Sequence, residues 1–148
     1  MKTNRAGREL IKSAESLSLK AYLCPAGVWT IGYGDTDNVR PGMVITEAEA
    51  EQRLSDRLSR EFEPGVARLA QVPLSGNEFS ALVSFAYNVG LNALAGSTLL
   101  RKLNAGDCAG VSAEWGKWTK AGGKTLRGLV ARREAERILF ETPGDGDE

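Results

Sequence analysis

The chain has no histidine and only two cysteines, Cys24 and Cys108. The lack of histidine removes the commonest metal ligand and the side chain that most often moves protons at neutral pH. The two cysteines lie far apart and match neither a zinc-site spacing nor a disulfide framework. No metal or cofactor is therefore expected, and a reducing compartment is the simpler setting. No apolar run approaches the ~20 residues a membrane span needs. The N-terminal stretch Met-Lys-Thr-Asn-Arg-Ala-Gly-Arg carries no apolar signal region. An excess of either charge is missing too: 19 basic residues balance 19 acidic ones. Nucleic-acid binding thus has no general support.

What is present fits a single domain. A length of 148 residues with 42% hydrophobic composition is enough for one core. The charges are unevenly spread. Lys117, Lys120, Lys124, Arg127, Arg132, Arg133 and Arg137 face only Glu134 and Glu136 in the same segment. This segment either favours an anionic polymer or is a solvated face balanced by acids elsewhere.

Periodicity predicts a helix over 4–14, capped by Asn4, with Leu10, Ile11, Ala14 and Leu17 on one face. Tyr22 to Gly34 reads as a β-hairpin broken at Pro25-Ala-Gly27, with Val28–Ile31 as its second strand. A loop follows over 35–43. Thr46-Glu-Ala-Glu49 is a capping box that opens a helix which Pro64-Gly65 should end. A second box, Ser75-Gly-Asn-Glu78, opens a helix apolar on nearly every side, which marks the core near residues 79–89. Gly90 should stop it. A short helix over 97–103, another over roughly 109–118 and a last one over about 125–140 complete the chain. The acidic tail 142–148 is expected to fray.

The order predicts an α+β fold: a helical body, and a small lobe with an antiparallel β-hairpin over about 15–60. The helical lobe is expected over about 65–141 together with the N-terminal helix, and the cleft between the lobes is the natural ligand site.

Three reactive side chains meet in this plan. Glu15 ends the first helix, and Cys24 and Thr30 sit on the two arms of the hairpin. A carboxyl at a helix end facing a partly apolar cleft suits a general acid. The plain alternative is a surface pairing with Lys12 or Lys20. Cys24 can be a small buried hydrophobe, a base that deprotonates water, or a nucleophile. Thr30 can be an ordinary strand residue or can hold a water or a sugar hydroxyl.

The chain resembles the phage-type lysozymes of glycoside hydrolase family 24. In that family an essential Glu is followed by eight residues, Asp or Cys, five residues and Thr. Glu15, Cys24 and Thr30 reproduce this spacing without a gap. Trp29-Thr-Ile-Gly-Tyr-Gly34, Phe85-Ala-Tyr-Asn-Val-Gly90, Ser97 to Gly106, Trp118 to Lys124 and Gly128-Leu-Val-Ala-Arg-Arg133 extend the resemblance over nearly the whole chain.

The resemblance implies a lysozyme-like fold and a muramidase. Its substrate would be the β-1,4 bond between N-acetylmuramic acid and N-acetylglucosamine in peptidoglycan, cleaved for host-cell lysis. It implies that Glu15 protonates the glycosidic oxygen, that Thr30 holds the attacking water, and that Tyr22, Tyr87 and Asn88 contact glycan or support the site. It implies a monomer that stays in the host cytoplasm until released to the wall, with a holin-like membrane partner for access. Two positions depart from the commoner pattern. Cys24 stands where Asp is usual, which leaves base or nucleophile open. Asp35 stands where many relatives carry His, and turn capping is its expected role. A lytic transglycosylase, which needs no water-activating partner, and a wall-binding module that has lost its chemistry are the alternatives.

Overall fold

The computed structural model describes residues 1–145. Helix α1 (Arg5–Glu15) is capped by Asn4, whose side chain accepts from the Gly7 amide. Strands β1 (Ser18–Leu23) and β2 (Trp29–Gly32) form an antiparallel hairpin in which Tyr22 faces Thr30 and Leu23 faces Trp29. β1 begins earlier than the sequence indicates. The reason is a long-range one: the segment 43–45 lies along its other edge, with Ala21 N–H donating to the Met43 carbonyl and Ile45 N–H to the Leu19 carbonyl.

Helix α2 (Glu47–Arg57) opens on the expected Thr46–Glu49 box. It does not end at Pro64-Gly65. A π-helical turn (Leu58–Phe62) passes into α3 (Glu63–Leu69), with Pro64 in the first turn of α3. There the missing proline N–H is not needed, and the wider turn shifts the hydrogen-bond register around the ring. Gly65 is buried, and a Cβ on it would run into the Leu91 side chain.

Helix α4 (Gly76–Val89) opens on the Ser75–Glu78 box and is the central element. Phe79, Leu82, Val83, Phe85 and Ala86 are fully buried on it, among Ile11, Leu94, Leu99, Val111 and Trp115. Gly90 ends it at φ +97, a value that favours glycine.

The remaining elements are shorter. They are α5 (Leu91–Ala95), α6 (Thr98–Asn104), α7 (Cys108–Ser112), a 3₁₀ turn (Trp115–Lys117), a β3 (Lys120–Ala121) and β4 (Lys124–Thr125) hairpin, and α8 (Arg127–Glu141). The single helix expected over 109–118 is thus two pieces. The break lets Trp115 turn fully inward, edge-on to Phe85 at 5.6 Å and against Phe140 at 5.6 Å.

The tail departs from expectation as well. Residues 142–145 are docked rather than frayed. Asn4 donates to the Asp145 carbonyl at 2.6 Å, Gly76 N–H to the Asp145 carboxylate at 2.8 Å, and Asn77 to the Thr142 carbonyl at 3.0 Å. The expectation for 146–148 lies outside the described residues.

Candidate active site

The site is organised by a tight turn. Ile31 and Asp35 exchange backbone hydrogen bonds of 2.9 Å each way, closing Gly32-Tyr33-Gly34 between them. Three groups from distant parts of the chain fasten to this turn. Tyr87 of α4 donates its hydroxyl to the Tyr33 carbonyl at 2.6 Å. Asp35 is buried and accepts from Arg53 and Arg57 of α2 at 2.8 Å each, while its Oδ1 also caps the Asp37 amide at 3.0 Å. The capping role expected for Asp35 is present, with two guanidiniums added. The third group is Glu15, whose carboxylate lies against Gly34. A Cβ at Gly34, which sits at φ +72, would land on that carboxylate. The Gly-Tyr-Gly sequence therefore serves both the turn and the approach of Glu15.

Glu15 is held from its other side by Arg132 of α8, at 2.6 Å. The surface pairing with Lys12 or Lys20 does not occur; Lys12 instead engages Glu9 and Glu51. Arg132 is itself buried and gives a second donor to the Ser84 carbonyl at 3.0 Å. The Glu15 carboxylate is thus fixed in direction but stays 21% exposed, open to a ligand.

Cys24 follows β1, and its amide donates to the Val28 carbonyl at 3.0 Å, extending the hairpin pairing by one step. Side chains alternate across a strand, so Tyr22, Cys24, Val28 and Thr30 share one face. Tyr22 is exposed, Cys24 partly so and Thr30 buried. The thiol is held below its ordinary value. The Val28 amide contributes most; the Ala26 amide, the Thr30 hydroxyl and its own amide add to it, against a smaller opposing effect of burial. The Thr30 hydroxyl also donates to the Val28 carbonyl at 3.0 Å. Its lone pairs remain free to accept from a water.

Of the other expected contacts, Tyr87 is mainly a brace. Its ring packs on Phe62 at 5.2 Å, and burial pushes its phenol well up from the usual range, so it stays a donor. Asn88 is exposed and accepts from Arg133 at 2.7 Å. Sequence reasoning missed Arg132 as the partner of Glu15. The available signal was the Arg132-Arg133 pair on a half-apolar helix with Glu136 at i+4 and i+3. The basic segment proves partly internal. Arg132 and Arg133 are buried, Arg137 pairs with Glu134 and Glu141, and Lys117 pairs with Glu114. Lys120, Lys124 and Arg127 remain exposed.

Glu15 at the end of α1 thus lies against the 31–35 turn, and Cys24 and Thr30 lie on the hairpin that leads into it. Among the described residues, no cluster of three or more acidic or cysteine side chains is placed to hold a metal. The description fits what the chain is similar to. The family model described as phage lysozyme matches residues 12–136. The endolysin of Acyrthosiphon pisum secondary endosymbiont phage 1 is 45% identical over 146 residues, covering 96% of this chain and 99% of that protein. The endolysin of Bacillus phage B103 is 50% identical over 145 residues, 96% of this chain but 55% of that protein, so the chain spans about half its length. Among solved structures, the muramidase domain of SpmX from Asticaccaulis excentricus superposes with a TM-score of 0.89 at 39% identity, covering 96% of this chain and 99% of that one. Fold, spacing and relatives agree, and the chain belongs to the phage lysozyme family.

Proposed function

We propose that this lysozyme is a muramidase in which Glu15 is the general acid, Cys24 the general base and Thr30 the holder of the attacking water. Water accepted against the Thr30 hydroxyl attacks C1 of N-acetylmuramic acid and loses a proton to the Cys24 thiolate. The proton of Glu15 passes to the glycosidic oxygen, and the bond from C1 to that oxygen breaks. The products are a new reducing end and a free hydroxyl on the leaving sugar. Glu15 leaves the step as a carboxylate beside Arg132, and both groups regain their starting protonation by exchange with solvent. Attack by water from the face opposite the leaving group inverts the anomeric centre.

The observation that carries this reading is the convergence on the 31–35 turn. There Glu15, fixed by Arg132, lies against Gly34, next along the chain from the hairpin that carries Cys24 and Thr30. Amides that stabilise a thiolate supply what Asp would otherwise provide. Tyr22, on the same face, and Asn88, exposed at the end of α4, are the glycan contacts in this reading. The enzyme acts as a monomer on the peptidoglycan glycan strand. Starting in the host cytoplasm, it reaches the wall through a pore made by a holin-like partner. Among the described residues, no helix is long and apolar enough to cross a membrane.

The test is release of reducing ends from purified peptidoglycan. Glu15→Gln abolishes it if Glu15 is the acid. Proton NMR of the first-formed product reads the anomer: inversion supports Cys24 as base, and retention would mean a covalent thioglycoside instead. Expression without a pore-former gives intact cells, and permeabilising the membrane then triggers lysis.

A further inference from the structure

Glu136 takes no part in the chemistry above, yet it is fully buried between α4 and α8. Its Oε2 accepts from the Ser84 hydroxyl at 2.6 Å and from Arg132 Nε at 3.3 Å, and its Oε1 lies 2.8 Å from Arg133 Nε. Burial pushes the Glu136 carboxyl up from its ordinary range, while Arg133, Arg132 and the Ser84 hydroxyl pull it back towards the charged form. From this one carboxylate the two arginines diverge. Arg132 reaches Glu15 at 2.6 Å and the Ser84 carbonyl at 3.0 Å. Arg133 reaches Asn88 at 2.7 Å, and its guanidinium lies 4.9 Å from the centre of the Phe85 ring.

Two adjacent guanidiniums inside a protein repel each other and lose hydration. A shared anion is what allows both to stay, and its position fixes theirs. We propose that Glu136 is a positioning residue for the reaction. It holds Arg132 against the acid and Arg133 against Asn88, so that the acid and a glycan-facing side chain belong to one rigid unit. This rests on the reading of Glu15 as the acid. Glu136 touches neither substrate nor the reacting atoms; it acts through Arg132 and Arg133.

The test compares wild type, Glu136→Gln, Ser84→Ala and Glu15→Gln on purified peptidoglycan, with folded fraction measured by circular dichroism. ¹⁵N NMR of the Arg132 and Arg133 Nε–H groups follows the guanidiniums directly. Gln keeps the shape of Glu136 but replaces the anion with an amide. In the folded Glu136→Gln protein, kcat falls about tenfold or more with KM within about twofold, because misplacing the acid by a fraction of an ångström is enough. The Nε protons, slow to exchange with water in wild type, exchange rapidly. Should Glu136→Gln fail to fold, Ser84→Ala decides. Removing one hydrogen bond to Glu136 lowers kcat by about threefold in the same direction. A lower melting temperature with kcat and Nε–H exchange unchanged in the deciding variant makes Glu136 purely structural and overturns the proposal. Full activity of Glu15→Gln would instead remove the acid reading beneath it.

Discussion

The hydroxyl of Thr30 donates to the Val28 carbonyl at 3.0 Å. The Val28 amide above all, with smaller effects of the Ala26 amide and the Thr30 hydroxyl, sets the character of the thiol. A thiol held below its ordinary value carries more thiolate near neutral pH, and the thiolate is the species that reacts with an alkylating agent. The rate of iodoacetamide labelling at Cys24 therefore rises with pH through a midpoint below that of the same thiol in the urea-unfolded chain. A folded-state midpoint at or above the unfolded one contradicts this. If the thiolate is the base, Cys24→Ser loses activity, by about 10²-fold or more, and Cys24→Asp keeps it. Full activity in Cys24→Ser means the sulfur only packs. Asp35 makes a different kind of prediction. It is a buried carboxylate between Arg53 and Arg57, so Asp35→Asn leaves two guanidiniums short of their anion. Urea unfolding should show a loss of about 3 kcal/mol. At this scale the spacing of Glu15, Cys24 and Thr30 pointed to a site only weakly, and the family resemblance is what singled the three out. Arg132 was hidden because it lies 117 residues from Glu15 and its motif reads equally well as surface charge.

At the scale of elements, local signals were the legible ones. Both capping boxes, the Asn4 cap and the Gly90 stop are interactions within a few residues, and each is where the sequence puts it. What was not legible depends on partners far along the chain. Pro64 does not end a helix, because a π-helical turn ahead of it changes which carbonyl is left over. The break between α7 and the 3₁₀ turn follows from burying Trp115. The tail docks because Asn4, Gly76 and Asn77 are waiting for it. A chain ending at Glu141 loses these hydrogen bonds, each worth about 1 kcal/mol. Its melting temperature should fall by about 6–12 °C, at roughly 2–4 °C per kcal/mol for a chain of this size. An unchanged melting temperature would show that the docked tail contributes nothing.

Over the whole molecule, the fold works by bringing four distant segments to one short turn. The end of α1 supplies Glu15, α8 supplies its arginine, α4 supplies the Tyr87 brace and α2 supplies the clamp on Asp35. The hairpin that carries Cys24 and Thr30 is continuous with that turn, so the groups proposed as acid and water holder are set by one piece of backbone. The α+β plan was legible because a hairpin flanked by helices admits few packings. The turn as the meeting point was not, since each of its contacts is long-range. The most direct measurement is mass spectrometry of the muropeptides released from purified peptidoglycan by the wild-type enzyme and by Glu15→Gln. The account predicts N-acetylmuramic acid with a reducing end from the wild type and no release from the variant. Products carrying a 1,6-anhydro ring, one water lighter, or undiminished release by Glu15→Gln, would contradict it.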